Sequence, residues 1–406
     1  MLLLLLACES GADPDTGGSG LDGGPDPVPG DTSDTDTGEP PDTGDAPDDY
    51  DGLFTLDRVH TVDITLDRDA LRALRAAPKE YVTAEVTVDG EHFAPVGVRL
   101  KGSGSFSDLN GKAAFKIDFN RYDESLDYHG KGKFTLNNMT HDETQVHEVV
   151  AYAAFAAAGL PAARVGYAWV TVNGDVYGLY SNVETPDRDF LDRNFGNRDG
   201  NLYEGGYPYY PDSWDHADFS TAEAHHFELE SGTDLGWADI DAVVAAMAED
   251  PLEPALAEVV DLDAYARFQI MESWTGQWDG YAFASNNFRV FVDHGQTGRL
   301  YMVPTGLDYC FTSYGGRLSR AQSPLGLTCQ SDPECKAHFD AVLTQTLADV
   351  DAAGLESLMD QAMTLVRPYV EDDPRNYIDE DRQLDRSLDA MREWIQTRSG
   401  TVERWY

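Results

Sequence analysis

Two aspartates and a pair of asparagines follow one another in the second half of the chain. Asp279 ends a predicted helix, Asn286 and Asn287 open a predicted β-hairpin, and Asp308 follows its second strand. An aspartate at a helix end can orient or deprotonate a hydroxyl nucleophile. Amide and carboxylate oxygens are the ligands that Mg²⁺ prefers. The order of these side chains indicates phosphoryl transfer, although each alone is also a common cap or turn residue.

A small-residue turn in the first half of the chain suits phosphate binding. Lys101-Gly102-Ser103 follows a predicted strand, and Lys112 and Lys116 lie near the start of the next one. Backbone N–H groups of such a turn can bind phosphate, and a lysine adds a point charge. Lys112 and Lys116 are equally suitable for that contact. An ordinary β-turn is the simpler interpretation of the turn taken alone.

The elements that must position these residues are strand-rich before about residue 185. Alternating apolar residues predict strands at 58–66, 82–88, 96–100, 114–119 and 134–137, a helix after Asp67 and another from Glu143 to Ala158. Asn173-Gly174 predicts the turn of a hairpin that ends at Glu184. Glu148, on the second helix, is placed to hold a strand lysine. We expect these elements to form a twisted sheet.

The pattern after Pro186 is mostly helical, with helices over 187–195, 235–248, 261–274 and the region 332–405. Only a hairpin of residues 287–292 and 299–303 interrupts it. A sheet-rich part at 53–185 and a mainly helical part at 186–406 predict a two-lobed α+β fold.

Composition limits the partners and the compartment. The formal net charge of -44 excludes a nucleic-acid-binding protein, because such proteins neutralise phosphates with Lys and Arg. Residues 1–8 are apolar and end in Leu6-Ala7-Cys8, which resembles a lipoprotein signal with Cys8 as the lipidation site. Residues 9–52 are rich in Asp, Gly, Pro and Thr, which predicts a disordered linker. We expect an exported protein that contacts the membrane through a lipid anchor only, at the outer membrane or cell surface.

Three further cysteines, Cys310, Cys329 and Cys335, allow more than one disulfide in an exported protein. Cys329 and Cys335 can close a short loop and leave Cys310 as a free thiol. A bond between Cys310 and either of the others fits the sequence equally well.

Several motifs together resemble the spore coat protein H (CotH) kinase family. They are Lys101-Gly102-Ser103, Phe134-Thr135-Leu136-Asn137-Asn138, Val172-Asn173-Gly174, Gly178-Leu179-Tyr180, Glu184, Gly200-Asn201-Leu202-Tyr203-Glu204, Trp278-Asp279 and Asn287-Phe288. The resemblance runs from about Asp57 to beyond Phe311. It implies a divergent, bilobal protein-kinase-like fold that binds ATP with Mg²⁺ or Mn²⁺. It also implies phosphorylation of Ser or Thr on secreted or envelope proteins.

The resemblance also implies roles for individual residues. Asp279 resembles the catalytic aspartate, and Asn287 the metal-binding asparagine. Lys112 or Lys116 resembles the lysine that contacts ATP phosphates. Glu148 resembles the helix residue near that lysine, and Glu184 the acid at the lobe junction.

Two features depart from the family pattern. The loop between Asp279 and Asn287 is longer than the family spacing, so that Asn286 competes with Asn287 for the same role. The usual Pro-Trp-Asp-x-Asp is Pro304-Thr305-Gly306-Leu307-Asp308 here, so that Gly306 replaces an expected metal ligand and Asp308 is the remaining acid. A kinase that lacks this ligand would lose much of its charge neutralisation. A catalytically impaired structural or binding lipoprotein is therefore the alternative. A secreted hydrolase that uses a carboxylate pair rests only on the abundance of Asp and Glu and on the aromatic stretch from Tyr207 to Trp214.

Overall fold

The computed structural model describes residues 49–208, 213–312, 316–317, 321–376 and 380–405, which form an α+β structure. Cys8, the predicted signal segment and most of the predicted linker lie outside these residues. The end of that linker enters a short 3₁₀ helix, Asp49–Phe54. No described helix combines the length and the apolarity that crossing a bilayer requires.

The first group of strands closes into a barrel. The strands are β1 (Val59–Thr65), β2 (Val82–Val88), β3 (Glu91–Lys101), β4 (Ala114–Asp118), β5 (Lys133–Asn137), β6 (Val165–Val172) and β7 (Asp175–Val183). Their order around the barrel is β1-β2-β3-β4-β5-β7-β6. The predicted strands are present, but the sheet is not open, because β6 returns to pair in parallel with β1 from Val59 opposite Tyr167 to Ile64 opposite Val172.

Two helices accompany the barrel, α1 (Arg68–Ala76) and α2 (His147–Ala157). The predicted cap of α1 is present, since the Asp67 carboxylate accepts hydrogen bonds from the backbone N–H groups of Asp69 and Ala70. The second helix begins later than predicted. Asp142 accepts a hydrogen bond of 2.7 Å from the His147 backbone N–H, and this side chain holds the preceding residues in a loop rather than a helical turn.

The remaining chain combines helices with a second sheet. Its elements are α3 (Arg188–Phe195), β8 (Asn201–Glu204), β9 (Glu228–Ser231), α4 (Ala238–Ala246), α5 (Leu252–Val259), α6 (Leu262–Thr275), α7 (Tyr281–Ala284), β10 (Phe288–Val292), β11 (Leu300–Pro304), α8 (Pro324–Ser331), α9 (Pro333–Ala352), α10 (Leu355–Asp372) and α11 (Glu380–Glu403). The predicted hairpin is β10–β11. It belongs to a sheet of order β11-β10-β8-β9, so the expectation that only a hairpin interrupts the helices was wrong.

Buried apolar residues form two clusters. One fills the barrel with alternate residues of its strands, such as Val86, Val98 and Phe115. The other joins the outer face of the barrel to the helices and the second sheet, with Val150, Phe268 and Val290 among its members. Because α2 lies within this second cluster and packs against α6 and α10, the polar residues on it are buried as well.

The three cysteines within the described residues form one disulfide and leave one free thiol. Cys329 on α8 is bonded to Cys335 on α9, and Cys310 is a buried free cysteine. Of the pairings that the sequence left open, the structure contains the Cys329–Cys335 disulfide, which closes the short loop. Asp332 between them accepts hydrogen bonds from the backbone N–H groups of Glu334 and Cys335 and so starts α9.

The Asp373→Ala variant should be strongly destabilised. The Lys112 Nζ lies 2.7 Å from the Asp373 Oδ2, and the two side chains are 2% and 1% exposed. Asp373 also accepts a hydrogen bond from the backbone N–H of Leu179. Removal of the carboxylate leaves a buried ammonium without its partner, which costs about 3 to 5 kcal/mol of the unfolding free energy. Urea denaturation measures this loss.

The control for that measurement is Asp389→Ala, which removes a carboxylate that is 82% exposed and 3.5 Å from Arg392. Such surface pairs contribute less than about 1 kcal/mol. The Lys112→Met change in the Asp373→Ala background should recover part of the lost stability. Equal stability of Asp373→Ala and Asp389→Ala would contradict the structural role of the buried pair.

Candidate functional site

The small-residue turn follows β3 directly. Gly102 has a φ of +103°, and a Cβ there would lie 3.1 Å from the Ser105 Oγ and 3.2 Å from the backbone of Phe106. The Phe106 N–H closes the turn on the Ser103 carbonyl at 3.1 Å. A glycine is therefore required at position 102, and Ser103 is left exposed at the tip of the turn.

Lys101 is linked to the helix acid Glu148 through Asn137. Its ammonium donates a hydrogen bond to the Asn137 Oδ1. The Asn137 Nδ2 donates to the Glu148 Oε1 at 2.6 Å, and the Ser181 hydroxyl donates to the other carboxylate oxygen. These four residues, which we call the Lys101 cluster, join β3, β5, α2 and β7. Asn137 and Ser181 were missed by sequence reasoning, although Asn137 lies in one of the family motifs.

The Lys101 cluster is electrostatically unbalanced. Burial, together with the nearby carboxylate of Asp308, raises the pKa of Glu148 to about 8. Burial also lowers the pKa of Lys101, and Glu148 and Asp308 oppose that shift. Two acids therefore face one lysine in a site with little water. A cation bound beside them would favour the ionised form of both acids.

The segment after α6 presents Asp279. Helix α6 ends at Thr275 with Gly276 in the left-handed conformation. The buried Glu272 accepts hydrogen bonds of 2.6 and 2.7 Å from the backbone N–H groups of Tyr281 and Ala282, and so it anchors the start of α7. Asp279 lies in the turn between these two fixed points. Glu272 was also missed, since a buried carboxylate cannot be told from a solvated one by local sequence.

Asn287 is bound to Asp279. Its Nδ2 donates hydrogen bonds to the Asp279 carbonyl at 3.0 Å and to the Asp279 Oδ2 at 2.9 Å. Burial raises the pKa of Asp279, and hydrogen bonds from Asn286 and Asn287 oppose this shift. Both amides thus contact the aspartate. Because Asn287 donates through Nδ2, its Oδ1 is the atom suited to a cation.

Asp308 lies between the Lys101 cluster and Asp279. It belongs to a 3₁₀ helix, Leu307–Tyr309, directly after β11. Its carboxylate raises the pKa of both Glu148 and Asp279, and the ring of the adjacent Tyr309 lies 5.5 Å from that of Trp278. Its Oδ2 is 3.7 Å from the His141 Nδ1, and its carbonyl accepts a hydrogen bond of 3.0 Å from the His147 Nδ1. The sequence points to His147 only as the neighbour of Glu148 on the predicted helix, and neither histidine contact was predicted.

Gly306 lies in a position with no space for a side chain. Its φ is +62°, and a Cβ there would lie 2.6 Å from the Asn287 Oδ1. Its carbonyl accepts a hydrogen bond of 2.8 Å from the Gln277 Nε2. An aspartate at this position would have to displace Asn287. In this backbone the acid that faces the cluster is Asp308.

The other two predicted lysines have different partners. Lys112 is bound to Asp373, as described above. Lys116 lies opposite Arg99 on β3, and burial, with a smaller contribution from Arg289, lowers its pKa to about 8. Its electrostatic partners are the carboxylates of Glu204 and Glu230, which also contact Arg289 at 2.9 and 4.0 Å.

Glu184 is a structural ion-pair residue in this fold. Its Oε1 is 2.8 Å from the Arg164 Nη2, and its Oε2 contacts the Arg193 guanidinium. These contacts tie the end of β7 to α3. Glu184 thus lies where the barrel chain passes into α3.

A cavity of about 160 Å³ connects the turn to the Asp279 segment. Its lining combines Ser103 from the barrel with residues of the second sheet and its connections, namely Glu204, Gly205, Tyr207, Trp214, Asn286, Asn287, Phe288 and Thr305. Ser103 and Asn287, which are far apart in the chain, thus face the same space. Asn287 and Asp279 are in contact, and the amide and carboxylate oxygens of Asn287, Asp279 and Asp308 are the hard donor type that Mg²⁺ or Mn²⁺ prefers.

Comparison with known proteins decides the family. A family model described as CotH kinase protein matches residues 98–402. The chain belongs to the CotH kinase protein family. The match begins within β3, so β1 and β2 complete the barrel from outside the matched range.

Two named relatives support the same assignment. The chain is 23% identical over 310 residues to Invasin CotH2 of Rhizopus delemar, which covers 68% of this chain and 50% of that protein. It is 23% identical over 296 residues to Inner spore coat protein H of Bacillus subtilis, which covers 67% of this chain and 78% of that protein. The chain thus spans half the length of the fungal relative.

Proposed function

We propose that this CotH family member is an atypical protein kinase that transfers the γ-phosphate of ATP to Ser or Thr hydroxyls of secreted or envelope proteins. The observation that carries the proposal is the position of Asp308. Its carbonyl contacts His147, the residue before Glu148, and the adjacent Tyr309 packs against Trp278, the residue before Asp279. A lysine–glutamate pair, a catalytic aspartate and two oxygen ligands for metal are the parts that protein kinases combine.

The fold suits a divergent, bilobal protein-kinase-like arrangement. In this proposal the barrel with α1 and α2 supplies the nucleotide-binding lobe, and the chain from Arg188 onward supplies the lobe with the catalytic aspartate. The cavity lined by Ser103 and Asn287 lies where the two sets of residues meet.

Each residue then has a defined task. Asp279 orients the substrate hydroxyl and accepts its proton, because its carboxylate is held by two asparagines at the end of a short turn. Lys101 contacts phosphate oxygens while Glu148 and Asn137 keep its ammonium in place. The Gly102-Ser103 turn offers backbone N–H groups to phosphate. Asn287 and Asp308 hold Mg²⁺ or Mn²⁺, which neutralises phosphate charge when bound.

A second candidate is a catalytically impaired envelope protein, and Gly306 is the observation that favours it. The family acid expected there is absent, and the backbone has no space to receive one. In this case the fold would bind partners without phosphate transfer. Measured transfer decides between the two candidates.

The proposed location is the cell envelope. Cys8 and the acidic segment that follows would anchor the folded part through lipid and a long polar linker. One relative is named an invasin and the other a spore coat protein, and both names suit an exported protein.

The full chain should transfer labelled phosphate from ATP to a generic protein substrate in the presence of Mg²⁺ or Mn²⁺. The Asp279→Asn variant should lower this rate on the order of 10²-fold, because the hydroxyl loses its proton acceptor. A filter assay of labelled protein measures the transfer. ATP and metal should still raise the thermal midpoint of the variant.

The matched control is Asp340→Asn, which changes an aspartate that is 61% exposed and paired with Lys336. It should leave the transfer rate unchanged. Equal rates for the wild type and Asp279→Asn would reject the kinase. Nucleotide binding without any transfer would instead favour the impaired candidate.

A further inference from the structure

A second cluster of ligand-type side chains lies outside the kinase residues. Within the described part of the chain, His216, Asp218 and Glu223 place one ligand atom each within 4.8 Å of one another. The His216 Nδ1 is 3.2 Å from the Glu223 Oε1. Asp218 is only 1% exposed, and burial of a carboxylate is costly unless a cation neutralises it. Donor type, separation and burial together suit a divalent metal ion.

The orientation of His216 is an independent indication. Its Nε2 lies 2.8 Å from the Ser285 carbonyl oxygen, which can only accept, so that Nε2 carries the proton. In the neutral ring, Nδ1 then directs a lone pair toward the two acids. A metal-binding histidine commonly donates its other N–H to a backbone carbonyl in this way.

The two acids are also held by outer contacts. The Glu223 Oε2 accepts a hydrogen bond of 3.2 Å from the Ser220 hydroxyl, which turns Oε1 toward His216. The Asp218 Oδ1 accepts a hydrogen bond of 2.6 Å from the Phe219 backbone N–H. All three candidate ligands therefore have a second partner that fixes their orientation, as is typical of metal centres.

We infer that His216, Asp218 and Glu223 bind a zinc ion. One imidazole nitrogen and two carboxylate oxygens are a common Zn²⁺ donor set, whereas Mg²⁺ and Ca²⁺ prefer oxygen ligands alone. Three protein ligands leave a fourth tetrahedral position for water. The site is independent of the proposed kinase activity, since none of its ligands belongs to that set.

The ion would stabilise the turn that carries Asn286 and Asn287. His216 contacts the Ser285 carbonyl, and Ser285 directly precedes Asn286 and Asn287. The adjacent Ala217 exchanges two backbone hydrogen bonds with Gly206, at 3.0 and 2.7 Å. A metal at His216 would thus fix residues 216–223 against the turn that supplies both asparagines to Asp279.

The competing explanation for the cluster is an ion pair between protonated His216 and Glu223. Both explanations account for the 3.2 Å contact. They differ in what they bind, because a protonated imidazole repels a cation and offers no lone pair.

The test is a titration of the full, metal-stripped chain with Zn²⁺ in excess Mg²⁺. The Mg²⁺ occupies the oxygen-rich kinase site and the acidic segment, which leaves Zn²⁺ for the imidazole site. The wild type should bind one Zn²⁺, and His216→Ala should weaken that binding at least about 10²-fold. Isothermal calorimetry and metal analysis after dialysis give affinity and stoichiometry.

Two controls separate this site from other sources of binding. His225→Ala removes an exposed histidine of the same connection, 2.9 Å from Asp241, and should leave Zn²⁺ affinity unchanged. Asp279→Asn should also leave it unchanged, so that loss of kinase function and loss of the zinc site are separable.

A replacement ligand keeps the test valid if His216→Ala folds poorly. The His216→Cys variant should bind Co²⁺ with a thiolate-to-cobalt absorption band that the wild type lacks, because the new ligand is sulfur. Absence of that band in a folded variant would overturn the assignment. Equal Zn²⁺ affinity of the wild type and His216→Ala, or no Zn²⁺ binding by the wild type in Mg²⁺, would overturn it as well.

Discussion

The Asp308→Asn variant should lose phosphate transfer on the order of 10³-fold while it remains folded. Asp308 is the acid that faces both the Lys101 cluster and Asp279, and its side chain is 19% exposed. Asparagine keeps the shape but removes the negative charge that would hold Mg²⁺. The rate of transfer measured at increasing Mg²⁺ concentration should show that the variant needs more Mg²⁺ to reach its half-maximal rate.

Loss of this charge should have a second, spectroscopic effect. Asp308 raises the pKa of Glu148, so Asp308→Asn should lower that pKa. Carboxyl titration followed by NMR measures the shift. An unchanged transfer rate in Asp308→Asn would show that phosphate charge is neutralised elsewhere.

Gly306→Asp is the informative partner of this variant. It restores the family acid but should not raise activity, because its Cβ would lie 2.6 Å from the Asn287 Oδ1 and the residue would need a φ of +62°. We expect displacement of Asn287 and lower transfer. A gain of activity in Gly306→Asp would mean that the missing acid, rather than Asp308, limits the enzyme.

The Lys101→Met variant should lower kcat/KM for ATP on the order of 10³-fold, since the ammonium held by Asn137 and Glu148 is the one that faces the acids. Methionine keeps the aliphatic stem and removes the charge. Steady-state kinetics at varied ATP concentration measure the change. The unfolding free energy should also fall, because Glu148 and Asp308 lose the cation beside them, so the kinetics are compared under conditions where the variant is folded.

The Lys116→Met and Lys112→Met variants test the two lysines that the sequence predicted to contact phosphate. Lys112→Met should act on stability, since it removes the partner of Asp373. Lys116→Met should lower kcat/KM less than Lys101→Met, because its ammonium is surrounded by Glu204, Glu230 and Arg289. A larger loss in Lys116→Met would support the lysine that the family resemblance first indicated.

Local sequence was sufficient for many elements of the fold. Alternation in β2 and the Asp67 cap of α1 predicted those elements because strand and helix periodicity is set by neighbouring residues. The barrel closure was missed because β1 and β6 are separated by most of the N-terminal part of the chain. Strands β8 and β9 were missed because each has four residues, too few for a periodic pattern.

The candidate site was also only partly predictable from local sequence. Asp279 and Asn287 are close in sequence and the β-hairpin that follows fixes their geometry, so their pairing could be expected. Lys101, Asn137, Glu148 and Ser181 come from four elements, and only the packed barrel brings them together. The choice of Lys101 over Lys112 depends on Asp373, which lies in the last third of the chain.

The amino-acid sequence by itself determined the family, the acidic character of the chain and the set of residue types available for phosphoryl transfer. The tertiary structure alone decided which lysine meets Glu148, why Gly306 has no space for a side chain, and how His216 is oriented. The physical reason is that burial, hydrogen bonding and charge act between residues that are near in space. Residue types limit what chemistry is available, and packing selects the atoms that meet.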